Sequence, residues 1–173
     1  HYGFTTPQTG IWFSNSFGYI DRPVSPFDPE RAKQLLKDAG YENGFKSKVY
    51  YGPFVNSPGI KEWLEAAASY WLDVGIEMEI FEIEGSEFYS RCCRDVSDGT
   101  GKNRSFRPLA VQTWGRQEHA GVLVNYGYHE SGTYNCCYDA KTEALWKELN
   151  STTDAVVTQR VLTEIEDYVL EKR

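Results

Sequence analysis

Residues 46–80 order two β-rich runs around one long helical period, and that order leaves few ways to fold. The first run, 46–51, is rich in β-formers and stops at Gly52-Pro53. Ile60, Trp63, Leu64, Ala67, Ala68 and Trp71 then recur at i, i+3, i+4, i+7, i+8 and i+11, which predicts a helix over 60–73. Gly75 closes it, and Ile76, Met78 and Ile80 alternate with Glu77 and Glu79 as a second strand. At Ile80-Phe81 the alternation slips, which calls for a bulge or for a change in what covers the two faces. Strand, helix and strand of these lengths make a parallel pair joined by a right-handed crossover.

The stretch before this unit, FDPERAKQLLKDAGYENGF over 27–45, is a second well-specified piece. Asp28 caps a helix whose first turn accepts Pro29, because the missing N–H costs nothing there. Ala32, Leu35, Leu36 and Ala39 form its apolar stripe, Gly40 supplies the positive φ of a C′ residue, and Asn43-Gly44 turns the chain into the first strand. This string closely resembles the DPxxAxxLLxxAGYxxGF segment of the family 5 extracytoplasmic solute-binding proteins, the peptide, nickel and oligosaccharide receptors of ABC importers. The resemblance implies an α/β fold, a mixed central sheet covered by helices, forming one lobe of a bilobal periplasmic-binding-protein-like receptor. Family members are several times longer. The expectation is therefore a single carboxy-terminal lobe over 1–173, with any signal peptide or lipoprotein cysteine belonging to the missing front of the protein.

Composition agrees with a folded unit and removes some partners. Hydrophobic residues make up 40% of the 173 residues and aromatics 15%, enough for a core. The formal charge of -7, with no basic cluster, argues against nucleic acid and anionic membrane surfaces. No apolar run approaches a membrane span.

Around the 27–114 core, residues 1–26 read as irregular surface structure with extended pieces near Ile11 to Phe13. Ser86 caps a short helix running to about Arg94, 95–105 is a polar loop, and 109–114 is a third strand. Residues 115–138 hold glycines, histidines and tyrosines without period and read as a long cleft-side loop. Two helices over 139–149 and 154–172 finish the chain, with Leu145, Trp146, Leu149, Val157, Val161, Ile165 and Val169 inward.

Candidate binding residues cluster after the third strand. Trp114, in VQTWGRQEHAG, is either a buried indole or, as the resemblance implies, the tryptophan that lines the ligand cleft after the last strand of the lobe. The Trp114-Gly115 pair matches the family pattern, and the residues after it depart from that pattern. The position that takes an aspartate for a peptide's amino terminus is Gln117, flanked by Arg116 and Glu118. A neutral amide is a poor partner for a buried ammonium, Glu118 offers one by a one-residue shift, and Arg116 offers a planar fork for a carboxylate. Tyr126 and Tyr128, followed by His129, either stack a ligand or form a loop folded on itself. Phe54 and Asn56 lie in the loop between a strand end and a helix start, where α/β sheets take ligands.

The cysteines come as Cys92-Cys93 and Cys136-Cys137, with no CxxC. Either one cross-link joins the pairs, or they are small core residues; sequence alone does not fix connectivity. His119 and His129 match no metal-ligand spacing, so neither metal nor cofactor is expected. No nucleophile motif or phosphate-binding glycine loop points to an enzyme. The resulting reading is a receptor lobe that binds a small solute, an oligopeptide or an oligosaccharide-like molecule, between itself and the missing lobe. It would dock on a membrane permease outside the cytoplasm, from the periplasm or as a membrane-anchored lipoprotein. The alternatives are a receptor-like sensor or chaperone, or a hydrolase with an unrecognised site.

Overall fold

The computed structural model describes residues 8–52, 59–88, 109–111, 118–132 and 139–171. They gather in two compact units, one holding residues 26–52, 59–88 and 109–111, the other residues 8–25, 118–132 and 139–171. The four cysteines and the polar loop over 95–105 lie outside the described residues.

The first of these units begins with α1 (Pro29–Asp38). The Asp28 carboxylate accepts the Arg31 N–H at 2.9 Å and Pro29 occupies the first turn, as the sequence requires. The helix ends by a double closure: Gly40, at φ 86°, donates to the Lys37 carbonyl at 3.0 Å and Tyr41 donates to the Leu36 carbonyl at 2.8 Å. The expected inward stripe needs correction, since Ala39 is exposed and Leu35 remains 57% exposed, with only Ala32 and Leu36 half-covered. Periodicity states which face of a helix is apolar; it does not state how much of that face finds a partner.

Next come β1 (Phe45–Tyr51), α2 (Ile60–Asp73), β2 (Ile76–Glu82), the single turn α3 (Gly85–Phe88) and β3 (Leu109–Val111). The sheet order is β2-β1-β3 and every described pairing is parallel. α2 lies over one face, where Val49, Tyr51 and Leu64 form a small core bordered by Ile60, Met78 and Ile80. β1 and β2 pair without interruption from Phe45↔Ile76 to Tyr51↔Glu82, so no bulge interrupts Ile80-Phe81. The slip in pattern comes instead from the opposite face, where Phe81 stacks on Tyr50 at 5.3 Å with Lys48 Nζ 5.4 Å from its ring. Ser86 is corrected as well: α3 begins at Gly85, and the carbonyl that accepts the Phe88 N–H at 2.8 Å belongs to Glu84.

Two glycines fix the register of β1 and β2. Gly44 (φ 71°) and Gly75 (φ 99°) sit immediately before the two strands, and the Phe45 N–H donates to the Gly75 carbonyl at 3.1 Å. A Cβ on Gly44 would overlap that carbonyl oxygen, so the approach itself requires glycine.

The other unit is helical: α4 (Gly121–Gly127), α5 (Ala140–Ser151) and α6 (Ala155–Glu171). Asp139 caps α5 in a reciprocal box with Thr142, and Asp154 accepts the Val156 and Val157 N–H groups at 2.8 and 3.1 Å at the start of α6. Leu145, Leu149, Val161, Ile165 and Val169 point into the core as expected, joined by Leu162. Trp146 and Val157 are half-buried at its border.

Two expectations fail in this unit. The stretch read as a long loop contains α4, because Ala120, Val124 and Tyr128 repeat at helical spacing with Gly121 and Gly127 buried beside them. Glycine counts against a helix in a reading of local pattern, whereas here it is the residue that fits: a Cβ on Gly121 would crowd the His119 ring. The leading segment is likewise more than surface structure, since Trp12 is fully buried, edge-on to Tyr128 at 6.0 Å, with its indole N–H on the Leu162 carbonyl at 3.3 Å.

What holds that segment is Glu166 of α6, whose side chain is 0% exposed. Its Oε1 accepts the Ile11 N–H at 2.7 Å and the Trp12 N–H at 3.4 Å, and its Oε2 meets Arg22 Nε at 3.1 Å. Arg22 also reaches Asp167 at 2.6 Å. Removing one member of a buried ionic set leaves the others desolvated and unpaired. Glu166→Ala is expected to destabilise the protein by about 3 kcal/mol, and Glu166→Gln by less, because the amide oxygen still accepts from Ile11 and Trp12. Urea unfolding followed by tryptophan fluorescence checks both. In the sheet unit, Gly44→Ala should cost about 2 kcal/mol or more and Gly40→Ala about 1 kcal/mol, since nothing lies within 4 Å of a Cβ at Gly40; equal losses would contradict the close-approach argument.

Candidate functional site

In an open parallel sheet, ligand-binding groups collect at the carboxyl ends of the strands. Here that edge is formed by Tyr51 of β1, Glu82 of β2 and Val111 of β3, which the register sets level with one another. α2 begins on this side of the sheet, following β1 in the chain. Tyr51 is buried, and its hydroxyl donates to Glu82 Oε2 at 2.8 Å. Burial, then the hydrogen bond to Glu82 and the charges of Glu82, Glu65 and Glu62, push the Tyr51 hydroxyl up to about 12. Among the described residues, Glu82, Glu65 and Glu62 bring negative charge to this edge. Glu82 is exposed, and its second oxygen has no partner among the described residues.

The residues singled out from sequence fall in several places. Trp114, Gly115, Arg116, Gln117, Phe54 and Asn56 lie outside the described residues. Glu118 belongs to the helical unit, exposed, with its carbonyl accepting the Phe17 N–H at 2.8 Å. Tyr126 is 38% exposed on α4, whereas Tyr128 is 9% exposed and packs against Trp12 in the core, so the two rings do not share a surface. His129 is buried and lies flat on Trp146 at 4.1 Å. Its Nδ1 accepts the Ser131 N–H at 3.3 Å and its Nε2 faces the Asn125 carbonyl at 2.8 Å, which puts the proton of the neutral ring on Nε2.

Sequence reasoning passed over Tyr51 and Glu82. The signal was present: each of two adjacent parallel strands follows a glycine directly, and counting the same distance from Gly44 and Gly75 pairs Tyr51 with Glu82.

Known proteins place the chain in a class. Residues 1–114 match the bacterial extracellular solute-binding proteins, family 5, middle region. The chain belongs to that family, whose members are binding proteins and not enzymes. Heme-binding protein A of Haemophilus influenzae is 34% identical over 68 residues, covering 38% of this chain and 12% of that protein. The dipeptide-binding protein of Escherichia coli K12 is 34% identical over 67 residues, again 38% of this chain and 12% of the relative. Among solved structures, NikA from Staphylococcus aureus in complex with Ni(L-His)2 superposes with a TM-score of 0.77 at 20% identity, covering 96% of this chain and 34% of that one. DppA from Helicobacter pylori in complex with the peptide STSA gives 0.74 at 16% identity, covering 97% and 32%. The chain thus spans about a third of the solved relatives, and its α/β layering matches part of the periplasmic binding protein fold.

The raised Tyr51 ionisation has a defined pH consequence. Between pH 10, the ordinary tyrosine value, and about 12 the unfolded chain loses the proton and the folded chain keeps it. Stability contributed by this group is therefore complete below pH 10 and lost as pH rises toward 12. Tyr51→Phe should flatten that part of the stability profile in denaturant titrations. An unchanged alkaline slope would contradict a buried Tyr51 hydroxyl bonded to Glu82.

Proposed function

We propose that the chain is the cleft-forming part of one lobe of an ABC-importer solute receptor, and that its cargo is an oligopeptide-type solute with a free amino terminus. The observation that carries this reading is the level alignment of Tyr51, Glu82 and Val111 at the carboxyl edge of the sheet. Val111 is followed in sequence by the run that contains Trp114, Gly115, Arg116 and Gln117. Glu82, held in place by the Tyr51 hydroxyl, supplies the negative partner for the ammonium group of the solute. Trp114, which follows β3 in sequence, is the candidate to pack the side chains of the solute. The names of the dipeptide-binding protein and of the glutathione-binding protein GsiB, 30% identical over 87 residues, support a peptide-like cargo over a sugar.

The receptor acts outside the cytoplasm, in the periplasm or on a lipid anchor, and delivers its solute to a membrane permease. Closure of two lobes on the solute follows if contacts differ between the open and closed forms. The test is a thermal-shift screen of the full-length protein with peptides, sugars, opines and nickel chelates. A free-amine tripeptide should raise the melting temperature, and Glu82→Gln should weaken its binding about tenfold while leaving the N-acetylated peptide unaffected. If no small solute stabilises the protein, the transport reading falls. If peptides bind and the Glu82 variant does not discriminate, only the role of Glu82 falls.

A further inference from the structure

The helical unit contains a cleft of 460 Å³ that the peptide reading does not use, lined from α4, from the α5–α6 connection and by Phe17. Backbone pairing builds its wall: Phe17 donates to the Glu118 carbonyl at 2.8 Å and accepts from the Ala120 N–H at 2.9 Å. That pairing stacks the Phe17 ring on His119 at 5.1 Å, with Phe17 left 40% exposed. Leu149 and Val122 give the cleft an apolar floor.

The polar groups around it are oriented by bonds made elsewhere. His119 Nδ1 accepts the Gly121 N–H at 3.0 Å, so the neutral ring carries its proton on Nε2, which has no partner among the described residues. Asn125 Oδ1 accepts the Trp146 indole N–H at 2.7 Å, a donor only, and among the described residues this leaves the Asn125 amide NH2 as a free donor. Asn150 donates its amide to the Trp146 carbonyl at 2.8 Å, leaving Oδ1 as a free acceptor among the same residues. The Thr153 hydroxyl adds a group that gives or takes. No charged side chain lines the cleft among the described residues.

We propose that this cleft, lined by residues of the helical unit, is a second small-molecule site and that it takes an uncharged, hydroxyl-rich ring of the pyranoside type. Two oriented donors, an oriented acceptor and a hydroxyl match vicinal sugar hydroxyls, each of which donates and accepts. The C–H face of the ring rests on Phe17, in the aromatic-plus-hydrogen-bond arrangement of small-molecule pockets. Ionic solutes find no counter-charge among the described lining residues. A planar nucleobase fits less well, because His119 already takes one face of Phe17 and no other aromatic ring lines the cleft among the described residues to sandwich a base.

The experiment tracks the His119 ring resonances of the full-length protein during titration with methyl glucopyranoside, with uridine and a dipeptide as comparators. The glycoside should shift these signals saturably. Phe17→Ala and Asn125→Ala should each weaken the effect about tenfold, with thermal unfolding confirming that both variants fold. Unmoved His119 signals would overturn the proposal, as would a stronger response to uridine or the dipeptide, or a glycoside response that survives both substitutions. Because the readout is His119, failure here leaves the peptide reading untouched.

Discussion

The helical unit depends on a carboxylate that has no contact with water. Glu166 sits fully buried on α6, and burial of an ionised group is tolerated only where partners surround it. The partners come from far away in sequence: the Ile11 and Trp12 N–H groups and the Arg22 guanidinium. Gly10 takes part by lacking a side chain, since a Cβ there would strike the carboxylate. Once residues 10–22 are held on α6, Trp12 enters the core beside Tyr128 and Phe17 reaches the backbone of residues 118–120. The beginning of α4, the orientation of His119 and the cleft beside it all depend on that one anchored segment.

The sheet unit is organised by a contact of the opposite kind, an approach so close that no side chain fits. Gly44 and Gly75 meet at the amino ends of β1 and β2 and set which residues face each other along the rest of the pair. Seven paired residues later the same register delivers Tyr51 to Glu82. A parallel sheet satisfies its backbone internally and leaves its carboxyl edge to side chains and loops, so chemistry can vary there without disturbing the register. This explains how relatives named for heme, dipeptide and glutathione binding share a recognisable scaffold.

The family motif and the proposed site lie in different parts of the chain. The family match covers residues 1–114, and its dense motif over 27–45 lies on a helix and turn whose residues serve capping and chain reversal. In the proposed reading, solute chemistry falls to the carboxyl edge of the sheet, outside that motif. Strand register places a single exposed carboxylate, Glu82, at that edge beside Tyr51.

Local chemistry was enough to determine the elements that satisfy themselves within a few residues. Asp28, Pro29 and Gly40 fixed the ends of α1, the apolar period fixed α2 at 60–73, and the strand-helix-strand order fixed the parallel pairing. Wherever the deciding partner lies distant in sequence, only the tertiary structure gave the answer. Glu166 looks like one more polar residue of an amphipathic helix until Ile11, Trp12 and Arg22 arrive, 155, 154 and 144 positions away. Gly121 reads as a breaker until close packing against His119 makes it the residue that fits, and Leu35 reads as core until its side of the helix is found exposed. The physical reason is the same in each case: hydrogen bonds of caps and turns close within one turn of chain, whereas burial is a property of the whole fold.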